Sequence, residues 1–413
     1  MKKIVIPFVA LLCLVSALFA EEVTIAPLGY PSTAGNGLGG PHAAYTDGIY
    51  SLFVNPAALQ WANESMITDL TFGVVGPIGK LLENMDSIAG IGESFSDGNT
   101  SAMSDALTKL TEIMPNGKLP IGADIRGPIS FGYTANGLGI GLFSRTTVDA
   151  RIIGLNIDAT AYTDLTLPIG LSFNLLKLKD HELSAGLVLK PFARVLINKE
   201  LSALDLMDEE KKDNLLKIPM PVIAGGGGDL GLMYRFKKDL VLGFAAKDVY
   251  TAGIKVYDLG SLLGAEKEES PDALYRVPLA LNAGLAYTFR PSSFWKTPKA
   301  FQSFYVALMA DWANLQNVFS WDDRQHRNPL LDIGGGLEIG LFSFLKFRAG
   351  VHELLPSVGI GLEPAVFKLN LALYGKELGN EPGVNSTLGV DFSISFRPDT
   401  KKKTWFWSKP LIK

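Results

Sequence analysis

The stretch Thr387-Leu388-Gly389-Val390-Asp391-Phe392-Ser393-Ile394-Ser395-Phe396-Arg397 decides the fold. Leu388, Val390, Phe392, Ile394 and Phe396 share one parity, and Thr387, Gly389, Asp391, Ser393, Ser395 and Arg397 share the other. Strict period-two alternation marks a strand with one apolar and one polar face. A tilted strand of about ten residues crosses the hydrocarbon core of a bilayer. In lipid such a strand can have no free edge, so it implies a closed barrel. The soluble alternative is a sandwich strand whose apolar face lies on a core.

Repetition separates the two. Working backward, the same alternation recurs at 367–373, 358–362, 345–351, 337–341, 304–312 and 279–289. It recurs again at 240–246, 230–236, 183–189, 165–175, 151–162, 138–147, 128–136 and 66–75. Asn136-Gly137 is a two-residue hairpin signal between two of these segments. Single-chain bacterial barrels use an even number of strands, so about fifteen candidates reduce to about fourteen. The weakest are 66–75 and 356–363. Arg235, Lys247, Arg290, Asp311, Arg348, Lys368 and Asp391 all fall opposite the apolar parity. A cation facing lipid at the midplane costs about 2–4 kcal/mol, so this segregation predicts a wet lumen behind an apolar outer wall. The fold class is therefore all-β, a transmembrane antiparallel barrel.

Composition agrees. The 413 residues are 47% hydrophobic and only 19% charged, with 43 glycines and a net charge of -4. That balance gives no basic footprint for nucleic acid. Lys2-Lys3, the apolar run Ile4–Phe19 and Ala20 read as a signal peptide cleaved before Glu21, which sends the chain out of the cytoplasm. Cys13, the single cysteine, lies inside that peptide, so the mature chain has no disulfide or thiolate chemistry. Residues 1–20 are the signal peptide, 21–65 a compact non-barrel segment, 66–397 the barrel, and 398–413 a basic-aromatic periplasmic tail. In 21–65, prolines interrupt any strand, yet Ile49, Tyr50, Leu52, Phe53, Val54, Leu59 and Trp61 need a packing surface. Residues 80–114 and 200–217 have helical spacing and read as short helical insertions in extracellular loops.

The run from Gly39 to Leu59, with Asp47 followed by Asn55-Pro56-Ala57, resembles the N-terminal hatch of FadL-type outer-membrane transporters of long-chain fatty acids. Asn55, Pro56 and Ala57 match the core of that motif, Asp47 matches its acidic position, and Ala58 stands where the family has Gly. The resemblance implies a hatch inside a fourteen-stranded barrel in the bacterial outer membrane. It also implies passive uptake of hydrophobic compounds such as long-chain fatty acids, and outer-membrane lipid and a hydrophobic small molecule as partners. The four hatch residues are expected to hold its shape. Thr387, Gly389, Phe392, Ile394 and Phe396 resemble the terminal-strand signal read by barrel-assembly machinery, although the chain runs on past Phe396.

Other chemistry finds no support. Gly35-x-Gly37-x-x-Gly40 follows no strand and opens no βαβ unit, so it is no dinucleotide fingerprint. Gly225–Gly228 and Gly334–Gly336 lack the Lys-Ser/Thr of a P-loop, and His42, His181, His326 and His352 show no metal-ligand spacing. No cofactor and no enzymatic role are expected. The alternatives to uptake are a structural or protein-secretion barrel and a surface hydrolase. Uptake predicts an apolar pocket beneath the 80–114 and 200–217 loops and a kinked strand beside the hatch. A secretion partner predicts a polar lumen and an exposed rim.

Overall fold

The computed structural model describes residues 22–46, 48–77, 83, 118–153, 156–202, 218–263, 273–293, 302–318, 327–364 and 366–398. The strands are β1 Glu22–Thr24, β2 Asn63–Met66, β3 Thr68–Gly76, β4 Lys118–Ala135, β5 Leu138–Ile153, β6 Asn156–Thr166 and β7 Ile169–Lys177. Next come β8 His181–Leu189, β9 Phe192–Ser202, β10 Pro221–Gly226, β11 Gly228–Phe236, β12 Leu240–Lys247, β13 Thr251–Asp258 and β14 Leu274–Val277. The chain ends with β15 Ala280–Phe289, β16 Tyr305–Trp312, β17 Ile333–Leu341, β18 Leu345–His352, β19 Leu355–Leu362, β20 Phe367–Glu377 and β21 Ser386–Phe396.

The wall strands pair antiparallel, and β21 pairs with β3 from Leu388↔Gly76 to Phe396↔Thr68, which closes the ring. Several wall strands are interrupted: β2 continues as β3, β6 as β7, and likewise β8/β9, β10/β11, β12/β13 and β14/β15. Counted this way the barrel has 14 strands. Apart from Arg151–Ile153, which end β5, the segments 151–162 and 165–175, counted separately from the sequence, belong to one wall strand. Both β6 and β7 pair with β5, on either side of Leu167-Pro168. The two weakest segments are full members, since β3 and β19 each carry ladders on both sides.

The alternation is inverted relative to a soluble protein. In β21, Leu388, Phe392, Ile394 and Phe396 are exposed, while Thr387, Asp391, Ser393 and Ser395 are buried. Phe72 and Val74 of β3 point out in the same way, at 56% and 46% exposure, while Asp69 and Thr71 are buried. A sandwich would bury the apolar parity. Here it forms the outside, as lipid requires.

Five neighbouring wall strands break at one level, at Leu167-Pro168, Lys190-Pro191, Gly227, Asp248–Tyr250 and Pro278-Leu279. Proline supplies no ladder N–H, which explains three of the breaks. The seam stays bonded, with Leu167 N–H donating to Pro191 O (2.9 Å) and Lys190 N–H to Gly227 O (2.8 Å). Lys190 is fully buried at the seam, with its Nζ 2.7 Å from Asp229 and 2.6 Å from Asp248. A buried cation without partners would be strongly destabilising, so this clasp ties three broken strands together. Above the seam, β6, β9, β10, β13 and β14 form an upper panel. The free edge of β14 is covered by β1, paired in parallel through Glu22↔Leu274 to Thr24↔Arg276.

The outer-end insertions 80–114 and 203–217 lie outside the described residues, apart from Glu83, and 200–202 belong to β9. The signal peptide and the tail after Pro398 also lie outside them.

Candidate functional site: a plugged lumen

Residues 25–62 bond to strands all round the ring from the inside, so they fill the lumen. Tyr30, Ile49, Tyr50, Leu52, Phe53 and Leu59 form one buried cluster with the wall residues Phe143 and Val188. Backbone meets backbone where wall glycines leave room. A Cβ at Gly186 would run into the Pro56 carbonyl, and one at Gly350 into that of Leu38. Gly39, at φ 83, sits against the Val351 backbone, a conformation and a proximity that a larger residue would not tolerate.

The Asn-Pro-Ala motif is a joint of this plug. Asn55, fully buried, caps the 3-10 turn Pro56–Gln60 by accepting from Ala57 N–H at 3.1 Å. Its amide donates to Ala43 O within the plug (2.8 Å) and to Leu232 O on the wall (3.3 Å). Pro56 occupies the first turn, where a missing N–H costs nothing. Ala57 O accepts from the hydroxyls of Ser172 (3.0 Å) and Ser184 (3.1 Å). Asp47 lies outside the described residues. Thr387 and Gly389 face inward on β21, Gly389 against the Tyr374 ring, and Phe392, Ile394 and Phe396 face outward.

Several charged residues picked out from the sequence meet the plug or its surroundings. Asp311 accepts from His42 Nδ1 (2.6 Å) and from Ala43 N–H (2.6 Å). His42 Nε2 lies 3.0 Å from Leu38 O. Asp391 accepts from Asn36 (2.7 Å) and from Arg126 (2.6 Å). Lys368 pairs with Glu64 just beyond the plug, and Arg348 bridges Glu338 and Glu363 on the wall. The histidines are scattered: His181 bonds Tyr234, and His352 flanks Gly40.

Sequence reasoning missed Arg126, Arg145 and Arg194. Each donates to a carbonyl of residues 25–31, the N-terminal strap of the plug: Arg194 to Ala26, Arg145 to Gly29 and Arg126 to Pro31. Asp164 holds Arg194 through both oxygens, and Asp124 pairs with Arg145 and Arg126. Arg126 lies on a strand whose start the hydrophobic pattern places too late, since β4 begins at Lys118 and not near 128; Arg194 lies on β9, which the pattern does not mark, and Arg145 falls within the segment read as 138–147. β4 also carries a β-bulge beside the plug. Its register with β5 shifts between Arg126 and Ser130, and Ser130 bonds the Tyr30 hydroxyl at 2.8 Å.

The strap covers an apolar surface. Ile25 and Leu28, with Val23 beside them, pack on the inward-facing Phe192, Ile223, Tyr275 and Val277 of the upper panel. Two cavities flank the plug. The lower, of about 620 Å³, opens between Trp61, Met233, Arg235 and Arg348; the upper, of about 240 Å³, lies against Asp124, Arg145 and Tyr374. Both touch Pro31, Asn36, Gly40 and Pro41, so one thin Gly-rich segment separates them.

No protein-family model and no curated protein matches the chain. Among solved structures it is similar to the CymD monoaromatic hydrocarbon channel, at 12% identity and TM-score 0.46, over 91% of this chain and 98% of that one. It is also similar to the Pseudomonas putida toluene transporter TodX, at 13% identity and TM-score 0.43, over 91% and 99%. A Pseudomonas aeruginosa FadL homologue gives 13% identity and TM-score 0.42, over 91% and 100%. The fold itself rests on the ladders described above.

Proposed function

We propose that this chain is an outer-membrane channel for the passive uptake of hydrophobic compounds, long-chain fatty acids among them. The carrying observation is the apolar inner surface of the upper panel. Most inward positions of this barrel are polar or glycine. Phe192, Ile223, Tyr275 and Val277 break that rule together, on the side nearest the outer rim. In a water-filled channel such a surface would be a liability, whereas an apolar solute leaving the medium gains about 25 cal/mol for each Å² it buries there. The strap at present supplies that burial with its own Ile25 and Leu28.

Photolabelling tests it. An alkyl diazirine probe incubated with the purified barrel should mark residues 192–196, 223 and 275–277. Unlabelled fatty acid should compete. Labelling confined to outward positions such as Phe72 and Leu308 would mean that the inner surface takes no solute.

A further inference from the structure

The lower cavity carries a charge pattern that uptake of neutral hydrocarbons does not call for. Seven lysine and arginine side chains line it, against three glutamates. The upper cavity has three cations against four carboxylates. The whole chain carries -4, so the positive lower cavity is a local feature and no echo of composition.

Its two walls differ. On one, Lys346, Arg348, Lys368 and Arg397 interlock with Glu363, Glu338 and Glu64. On the other, Arg235, Lys238 and Arg290 face the space with less compensation. Arg235 stacks over Trp61 at 4.4 Å and is 3.9 Å from Glu182. Arg290 holds Asp239 at 2.8 Å near the surface. Lys238 stands exposed in the β11–β12 turn, and no ion pair engages it among the described residues. An apolar cluster lies beside this trio: Ala57, Ala58 and Met233, with Trp61 and Val241 packed on it. Met233 and Arg235 share the inner face of one strand, so grease and charge adjoin.

We infer that the lower cavity binds organic anions with an apolar tail, the head on Arg235, Lys238 and Arg290 and the tail on Met233 and Val241. Low-dielectric walls focus such a field and raise the local anion concentration. The volume falls in the range of small-molecule sites. The same chemistry belongs to a fatty acid arriving through the barrel and to an anionic phospholipid of the inner leaflet. Binding here needs no passage across the plug, so this inference stands or falls apart from the uptake proposal.

Full-length mature protein in nanodiscs of zwitterionic lipid is titrated by calorimetry with octanoate, octanol and octyltrimethylammonium. Octanoate should bind at least about tenfold tighter than octanol, a difference of about 1.4 kcal/mol. Raised salt should weaken octanoate and leave octanol unchanged. Arg235→Gln/Lys238→Gln/Arg290→Gln should erase the preference. The single variant Lys238→Gln, a surface change that leaves folding alone, should reduce it about threefold. Dihexanoyl phosphatidylglycerol is the second arm: tighter binding than octanoate assigns the site to lipid, weaker binding assigns it to a single-chain anion. Equal affinity for octanoate and octanol, or full preference in both variants, overturns the inference.

Discussion

Asn55→Ala should loosen the plug without opening the wall. The side chain makes three hydrogen bonds: it accepts from Ala57 N–H and donates to Ala43 O and Leu232 O. Loss of an N-cap side chain costs about 0.5–2 kcal/mol. Each buried carbonyl left without its donor adds about 1–3 kcal/mol, less where a second partner remains. These terms share one residue and do not add fully, so a net of about 3 kcal/mol is the working figure. In local opening that is a factor on the order of a hundred. Amide hydrogen exchange on the barrel in detergent reads it directly. Protection across Leu38–Ala62 should fall by that factor, while the β20–β21 ladder, with no atom near Asn55, keeps its protection. Asn55→Asp is the control. It retains the acceptor for Ala57 N–H but turns a carboxylate toward two carbonyls, so it should be at least as damaging as alanine. Rescue by aspartate would mean that only the cap matters. Unchanged protection in both variants would refute the joint altogether.

Truncation tests the closing strand and the assembly signal proposed for Thr387, Gly389, Phe392, Ile394 and Phe396. Removing 398–413 takes from the described residues one backbone bond, Ser65 N–H to Pro398 O, and outer-membrane yield should hold. Removing 386–413 strips the β20 and β3 ladders, and yield should collapse because unpaired backbone in lipid costs several kcal/mol per group. Phe396→Ala should fall between them. Phe392→Arg places a cation on the lipid face and should lower barrel stability by about 2–4 kcal/mol in a urea titration, whereas Ser393→Asn on the inner face should not. Glu363, in the turn after β19, has a carboxyl that burial would raise, but Lys346 and Arg348 outweigh burial and hold it well below the usual carboxylate range. Its folded value is the lower one, so its contribution is complete at neutral pH and is lost progressively as pH falls from the unfolded value through the folded one. Glu363→Gln should therefore lower the thermal midpoint at pH 7 and make little difference in strong acid. Sequencing the mature N-terminus should return Glu21.

The barrel itself was legible from parity. Lipid outside and water inside impose one repeated rule, and β21, β20 and β15 state it without interruption. The split between 151–162 and 165–175 misled because Thr163, a polar residue on the outward parity, interrupts the apolar pattern while β6 runs on to Thr166. β4 was dated late because Pro120, Gly122 and Gly127-Pro128 blur its first half. The plug was legible as apolar residues in need of a surface, but its partners were not. Nothing in the neighbourhood of Arg145 shows that it reaches Gly29, over a hundred residues away in sequence. The cationic trio of the lower cavity was equally hidden, because Arg235, Lys238 and Arg290 converge only when β11, β12 and β15 curl round the lumen. One of them, Lys238, sits in a turn that reads as mere solvated charge.

The placement of β1 bears on the order in which this molecule can be completed. Among the described residues it is the one strand that runs parallel to its neighbour, and its partner β14 lies about 250 residues further along the chain. Closing so long a loop before the wall exists would forfeit chain entropy with nothing to compensate it. The segment that precedes every wall strand in the described chain is thus among the last to find its seat. Until β10, β13 and β14 have assembled, Val23, Ile25 and Leu28 have nowhere to hide. For that interval β1 is an apolar strand with its backbone groups unpaired, open to pairing with any other strand edge it meets.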